Sequence, residues 1–181
     1  MKLKAFGHAA ACVLVLALSG CAYTSKSNLP EHIKTIHVPQ VPNRIDITGD
    51  VSNRTSFKVY RPGLEVDLRN ALIDRFIFDG HLKVADMNKA DAVLEAELLD
   101  FRRDPLRYNK DDSIQEFRVN VTASVRFRDL KEDKIIWSSP SISGNATYFL
   151  SGRLAASEDQ AVAQALEDLA RHVVEEVLEV W

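Results

Sequence analysis

Two hydrophobic periods divide the chain. From residue 116 to 129, Val119, Val121, Ala123, Val125 and Phe127 alternate with Arg118, Asn120, Thr122, Ser124, Arg126 and Arg128. A period of two predicts a half-buried strand with one apolar and one polar face. "DLKEDK" is a polar reversal. "KIIWSSPSISGNATYFL" then returns as the antiparallel partner, with Pro140 and Gly144 suggesting an edge or a bulge. Elsewhere the period is helical. In residues 61–80, Leu64, Leu68, Ala71, Leu72 and Phe76 make one stripe. Pro62 suits a first helical position, Glu65 and Arg69 have favourable i, i+4 spacing, and Gly80 is a natural stop. In residues 157–180 the stripe is Val162, Leu166, Leu169, Val173 and Val177. Ser157 and Gln160 form a capping box there, and Glu158 and Asp159 suit the positive helix end.

The remaining segments are less regular. Residues 33–41 predict a well-covered strand ended by Pro39 and Pro42. Residues 42–60 read as a loop, with a short strand near Phe57–Tyr60. "HLKVAD" after Gly80 is another short strand. Residues 91–103 carry helix-favouring Ala, Leu and Glu, yet Ala92, Leu94, Ala96 and Leu98 alternate as in a strand. The neighbouring strands favour strand. Runs of antiparallel strands with two amphipathic helices predict an α+β fold, both helices on one sheet face. The other face, bearing Arg, Asn, Thr and Ser, is either wet or covered by a partner.

The N-terminus carries a separate signal. Lys2 and Lys4 precede the apolar stretch Ala9–Leu18, followed by Ser19 and Gly20. The stretch is too short to span a bilayer, which takes about 20 residues, and the arrangement is that of a cleavable signal peptide over residues 1–20. Leu18-Ser19-Gly20-Cys21 resembles the lipobox of bacterial lipoproteins, in which the cysteine receives a diacylglycerol and the new amine is acylated. Several acyl chains, at about 0.8 kcal/mol per buried methylene, make a stable anchor. The other cysteine, Cys12, leaves with the signal, so no internal disulfide is available to Cys21. Residues 21–32 then form a lipidated tether, and residues 33–181 form one domain. Cleavage removes two lysines and no acids, leaving 21 basic against 26 acidic residues and moving the net charge from −3 to −5. A mildly acidic domain gives no general case for nucleic-acid binding.

Chemistry-bearing motifs are few. There is no G-x-S-x-G, no H-E-x-x-H and no phosphate-binding glycine loop. The histidines are scattered without metal-ligand spacing, and no catalytic, metal or cofactor set is expected. One constellation stands out. If the strands alternate in direction, loops 104–115 and 150–156 share one end of the sheet. That end gathers Arg102, Arg103, Arg107, Lys110 and Arg153, with Asp104, Asp111 and Asp112 as partial counter-charges. Arg153 also precedes a helix N-terminus, and guanidinium groups suit phosphate.

"LSGCAY", "LPEHIKTIHVP", "ADAVLEAELLDFRRDPLRY", "EFRVNVTASVRFRD" and "KIIW", in that order, resemble the LPS-assembly lipoprotein family, LptE. The resemblance covers most of residues 18–150; residues 42–60 are longer than the family's usual link. It implies two amphipathic helices on one face of a mostly antiparallel four-stranded sheet, lipid-anchored on the periplasmic side of the outer membrane. It further implies a partner, the β-barrel LptD, which members plug and help to assemble, and lipopolysaccharide as the cargo passed to the outer leaflet. Arg107 best matches a family lipopolysaccharide-contacting position. Ala22 after the lipidated cysteine resembles lipoproteins sorted outward. The alternative is an auxiliary lipoprotein of a periplasmic lipid or solute ABC transporter; a periplasmic hydrolase is disfavoured by the missing motifs.

Overall fold

The computed structural model describes residues 29–46, 57–58 and 61–179. The signal peptide, Cys21 and the tether up to residue 28 lie outside the described residues. The elements are β1 (Thr35–His37), β2 (Phe57–Lys58), α1 (Leu64–Asp79), β3 (Lys83–Val84), β4 (Ala92–Tyr108), β5 (Ile114–Asp129), β6 (Lys134–Phe149) and α2 (Glu158–Glu179). The ambiguous segment after residue 91 is a strand: tertiary pairing on both sides overrides its helical composition.

The fold is α+β, but the sheet differs in detail from the expected mostly antiparallel four-stranded one. It has six strands and is mixed, with the main path β3-β1-β4-β5-β6 and β2 paired to β4. β4, β5 and β6 form the antiparallel part, whereas β1 lies parallel to both β3 and β4. The parallel part is the βαβ unit that α1 closes. Its strands span only three and two residues, too short to print a period in the sequence. β1 is also shorter than the predicted 33–41. Pro39 and Pro42 lack N–H groups, so the ladder along β4 breaks and resumes as a single bridge between Asn43 and Leu98.

Three local expectations change. The first helical residue is Leu64, with Gly63 at the N-cap at φ 85°, so Pro62 sits in the turn before the helix. Glu65 and Arg69 are not paired: Arg69 Nε donates to the Val38 carbonyl at 3.0 Å, and Glu65 accepts from Asn43 at 3.4 Å. The predicted loop 104–115 contracts to residues 109–113, because β4 runs to Tyr108 and β5 begins at Ile114. Pro105 is tolerated there. β2 ends its pairing opposite Arg102 and Arg103, and no described strand flanks β4 beyond it.

Both predicted stripes are buried. Leu64, Leu68, Leu72 and Phe76 of α1, and Val162, Leu166, Leu169, Val173 and Val177 of α2, join one core with Leu94, Leu98, Phe101, Val119, Val121, Ala123 and Phe127. Ala71, by contrast, is only half-buried. The helices run parallel. Arg61 meets Asp159 at 2.8 Å near their starts, and Arg75 meets Glu175 at 3.7 Å near their ends. Ser157 caps α2, its Oγ accepting the Gln160 N–H at 3.1 Å.

Gly144 lets α2 seat directly on β6. A Cβ there would meet the Ala165 carbonyl and Leu169. On either side, Asp168 accepts the Asn145 N–H at 3.0 Å, and His172 Nδ1 lies 3.0 Å from the Ser143 carbonyl. Side chains of α2 thus cover polar groups on the sheet's edge strand.

Candidate functional site

The far end of the β4–β5 hairpin, the end of β6 and the loop leading to α2 form one tip. The turn is built by Asn109, whose Oδ1 accepts the N–H groups of Asp111 and Ser113 at 2.9 and 2.8 Å. Asp112 takes positive φ, 56°, tolerated by a short polar side chain. The loop after β6 folds back: Leu150 N donates to Gln115 O, and Ala156 N to Phe149 O. The two segments expected to share an end of the sheet do so.

The five candidate cations nevertheless do not form one cluster, and two of them lie on opposite faces of the sheet. Arg103 lies on the helix side, paired with Glu158 in the first turn of α2, its guanidinium 4.7 Å from the Phe117 ring centre. Tyr148 donates to the same carboxylate at 3.2 Å and stacks on Phe117. Burial opposes the Arg103 charge, but pairing with Glu158 outweighs it and raises the pKa. Burial, then the Glu158 charge, raises that of Tyr148. Arg103 is therefore a structural staple between β4 and α2. Arg102 lies on the opposite sheet face and pairs with Asp100 at 2.7 Å. Arg107, Lys110 and Arg153 remain as exposed cations of the tip.

Sequence reasoning missed the company these cations keep. Leu106, Tyr108, Leu150 and Leu154 are large apolar residues left exposed around them. The signal was present as apolar residues interleaved with cations in "LRYNK" and "LSGRL". Missed too was Glu116, a buried carboxylate beneath Arg107. The combination of planar cations and exposed apolar side chains suits an amphiphile with anionic head groups. Asp111 and Asp112 in the turn limit the net positive charge of the tip.

The polar face of the sheet is cross-linked internally. Glu95 lies 3.1 Å from Arg128 and 3.5 Å from Arg126, Asn120 donates to Asp104 at 2.9 Å, and Thr122 and Ser143 hydroxyls meet at 2.9 Å. An open groove of 870 Å³ runs elsewhere, between α1 and α2, with Ala163, Leu166, Asp67, Asp74 and Glu167 among its lining. It does not include the tip.

Each described histidine has a partner: His32 meets Asp129, His37 the Ala85 carbonyl, His81 Asp79, and His172 the Ser143 carbonyl. The fold gathers His32, Asp129 and Glu132 within 4.8 Å, a grouping hidden by their sequence separation. Asp129 already accepts from His32 at 2.6 Å and from the backbone N–H groups of Lys131 and Glu132 at 2.7 and 3.2 Å. This saturated carboxylate caps the β5–β6 turn. No helix among the described residues is long and apolar enough to cross a membrane.

The family model for LptE, lipopolysaccharide-assembly, matches residues 33–178. The chain belongs to the LptE family. Membership places it among lipopolysaccharide-assembly lipoproteins. Comparison with curated proteins returned no match. Among solved structures, the chain is similar to a minor lipoprotein from Acinetobacter baumannii, at 16% identity and TM-score 0.45, over 82% of this chain and 92% of that one. It is also similar to lipoprotein GNA1162 from Neisseria meningitidis, at 14% identity and TM-score 0.41, over 80% and 97%.

Proposed function

We propose that this LptE-family protein is anchored in the outer membrane through acylated Cys21, plugs and helps assemble an LptD-like β-barrel, and helps insert lipopolysaccharide into the outer leaflet. The family match over residues 33–178 carries the reading. Two features support it. The internally paired polar sheet face suits the wet lumen of a barrel. The tip joins Arg107, Lys110 and Arg153 with exposed Leu106, Tyr108, Leu150 and Leu154, which suits a phosphorylated glycolipid with acyl chains. Among the five candidate cations, Arg107, Lys110 and Arg153 are proposed as the direct contacts, Arg102 as a neighbour on the polar face, and Arg103 as support.

The test is recovery of the acylated protein from outer membrane with its partners identified by mass. A large barrel should co-purify, and that barrel should misassemble when the protein is absent. Normal barrel assembly without it would overturn the proposal. Co-purification with an inner-membrane ATP-driven transporter would favour the auxiliary role instead.

A further inference from the structure

Arg107 faces Glu116 directly across β4 and β5, with register irregularities on both sides of the pair. On the next strand Glu116 lies opposite Phe149. The two side chains have opposite environments: Arg107 is 61% exposed, Glu116 only 7%. Glu116 Oε2 makes no hydrogen bond, and Arg107 Nε stands 3.5 Å away, at ion-pair distance but short of a bond. The guanidinium also lies 5.6 Å from the Phe149 ring centre. A carboxylate this buried depends on its cation, because water cannot replace the charge compensation.

We propose that Glu116 is a built-in competitor for Arg107 that weakens the tip's hold on a lipid phosphate and so makes that hold reversible; this rests on the tip being the lipid contact proposed above. A phosphate arriving at Arg107 takes hydrogen bonds from the guanidinium that is Glu116's cation. If the arginine swings out, Glu116 is left buried without compensation. If it stays, the phosphate sits within the field of a second anion. Both routes subtract from affinity. A protein that passes cargo onward gains from this, because release is accelerated. The opposite role, Glu116 merely orienting Arg107 for the ligand, predicts the opposite sign.

The experiment measures binding and dissociation of purified lipopolysaccharide by the mature, acylated, detergent-solubilised protein. The forms are wild type, R107A, E116Q and R107A/E116Q. R107A should weaken binding. E116Q should tighten it about tenfold, equivalent to about 1.4 kcal/mol, mainly through slower dissociation. In the R107A background E116Q should have no effect. Partial unfolding does not imitate tighter binding, and E116M supplies a second neutral side chain should E116Q fold poorly. Weaker or unchanged binding by E116Q overturns the competition. Equal tightening with and without Arg107 overturns it as well, leaving only a general field effect. Wild-type binding by R107A removes Arg107 from lipid contact and overturns the competition with it, an outcome read separately from the sign of E116Q.

Discussion

Gly144→Ala tests whether α2 is positioned by a single missing side chain. The added methyl would stand 2.6 Å from Leu169 Cβ and closer still to the Leu169 amide and the Ala165 carbonyl. Ordinary carbon contacts lie at about 3.5–4.0 Å. Two of the three obstacles are backbone, so no rotamer change relieves them, and α2 must move outward by on the order of 1 Å. Overpacking of this kind costs about 1–3 kcal/mol. The shift also strains the contacts of Asp168 with Asn145 and of His172 with Ser143. Each contributes about 1 kcal/mol. The expected loss is about 3–5 kcal/mol, a large part of a domain stability of about 5–15 kcal/mol. Urea unfolding should show the midpoint falling by about 2 M. Amide exchange at Asn145 should accelerate in parallel. A loss below about 0.5 kcal/mol, within the range of neutral surface changes, would refute the close seating, provided Asn145 exchange is also unchanged.

Two further outcomes follow from other polar contacts of the fold. Asp91 has a lowered pKa, chiefly from the Thr35 hydroxyl and the backbone N–H of Lys34; that of Asp129 is lowered because backbone N–H groups and His32 outweigh burial. Such groups stabilise the fold fully above the unfolded carboxylate pKa of about 3.9, and that stability is lost as pH falls through the folded value. D129N should therefore lower the urea midpoint at pH 7 yet converge with wild type at strongly acid pH; parallel curves would contradict the linkage. R103M removes the guanidinium from both Phe117 and Glu158, leaving Tyr148 as donor to that carboxylate, and should cost about 1–2 kcal/mol. A double-mutant cycle with E158Q should show positive coupling; additive effects would mean the staple contributes nothing.

What was legible in the sequence follows from element length and solvent contrast. Residues 118–128 bury one face and leave the other exposed or half-buried, so their alternation was readable, as were the helical stripes ending at Phe76 and Val177. β1, β2 and β3 were expected as strands, but their bounds and the parallel pairing of β1 were obscure, because two or three residues cannot display a period and the pairing joins segments far apart along the chain. The shared end of the sheet was legible from strand direction alone. The division of its cations was not: Arg102 and Arg103 are adjacent, so alternation sends them to opposite faces. Only the start of α2, supplying Glu158 from 55 residues away, decides which one is engaged by the core.

The charge distribution separates the two surfaces left to a partner. On the polar sheet face, Glu95, Glu97, Asp100 and Asp104 stand among Arg102, Arg118, Arg126 and Arg128, equal in number and largely paired with one another. Such a surface offers neither a strong field nor dry apolar area, so a macromolecule lying against it would keep interfacial water and gain little affinity from it. The tip differs not in net charge but in kind. Its cations stand beside apolar side chains that no described residue covers, and hydration of that apolar surface is unfavourable until something amphiphilic replaces the water. If the tip is the lipid contact proposed above, it discriminates by requiring both chemistries at once. A phosphate without acyl chains meets Glu116 and the hairpin acids, and an acyl chain without a phosphate leaves Arg107 unanswered.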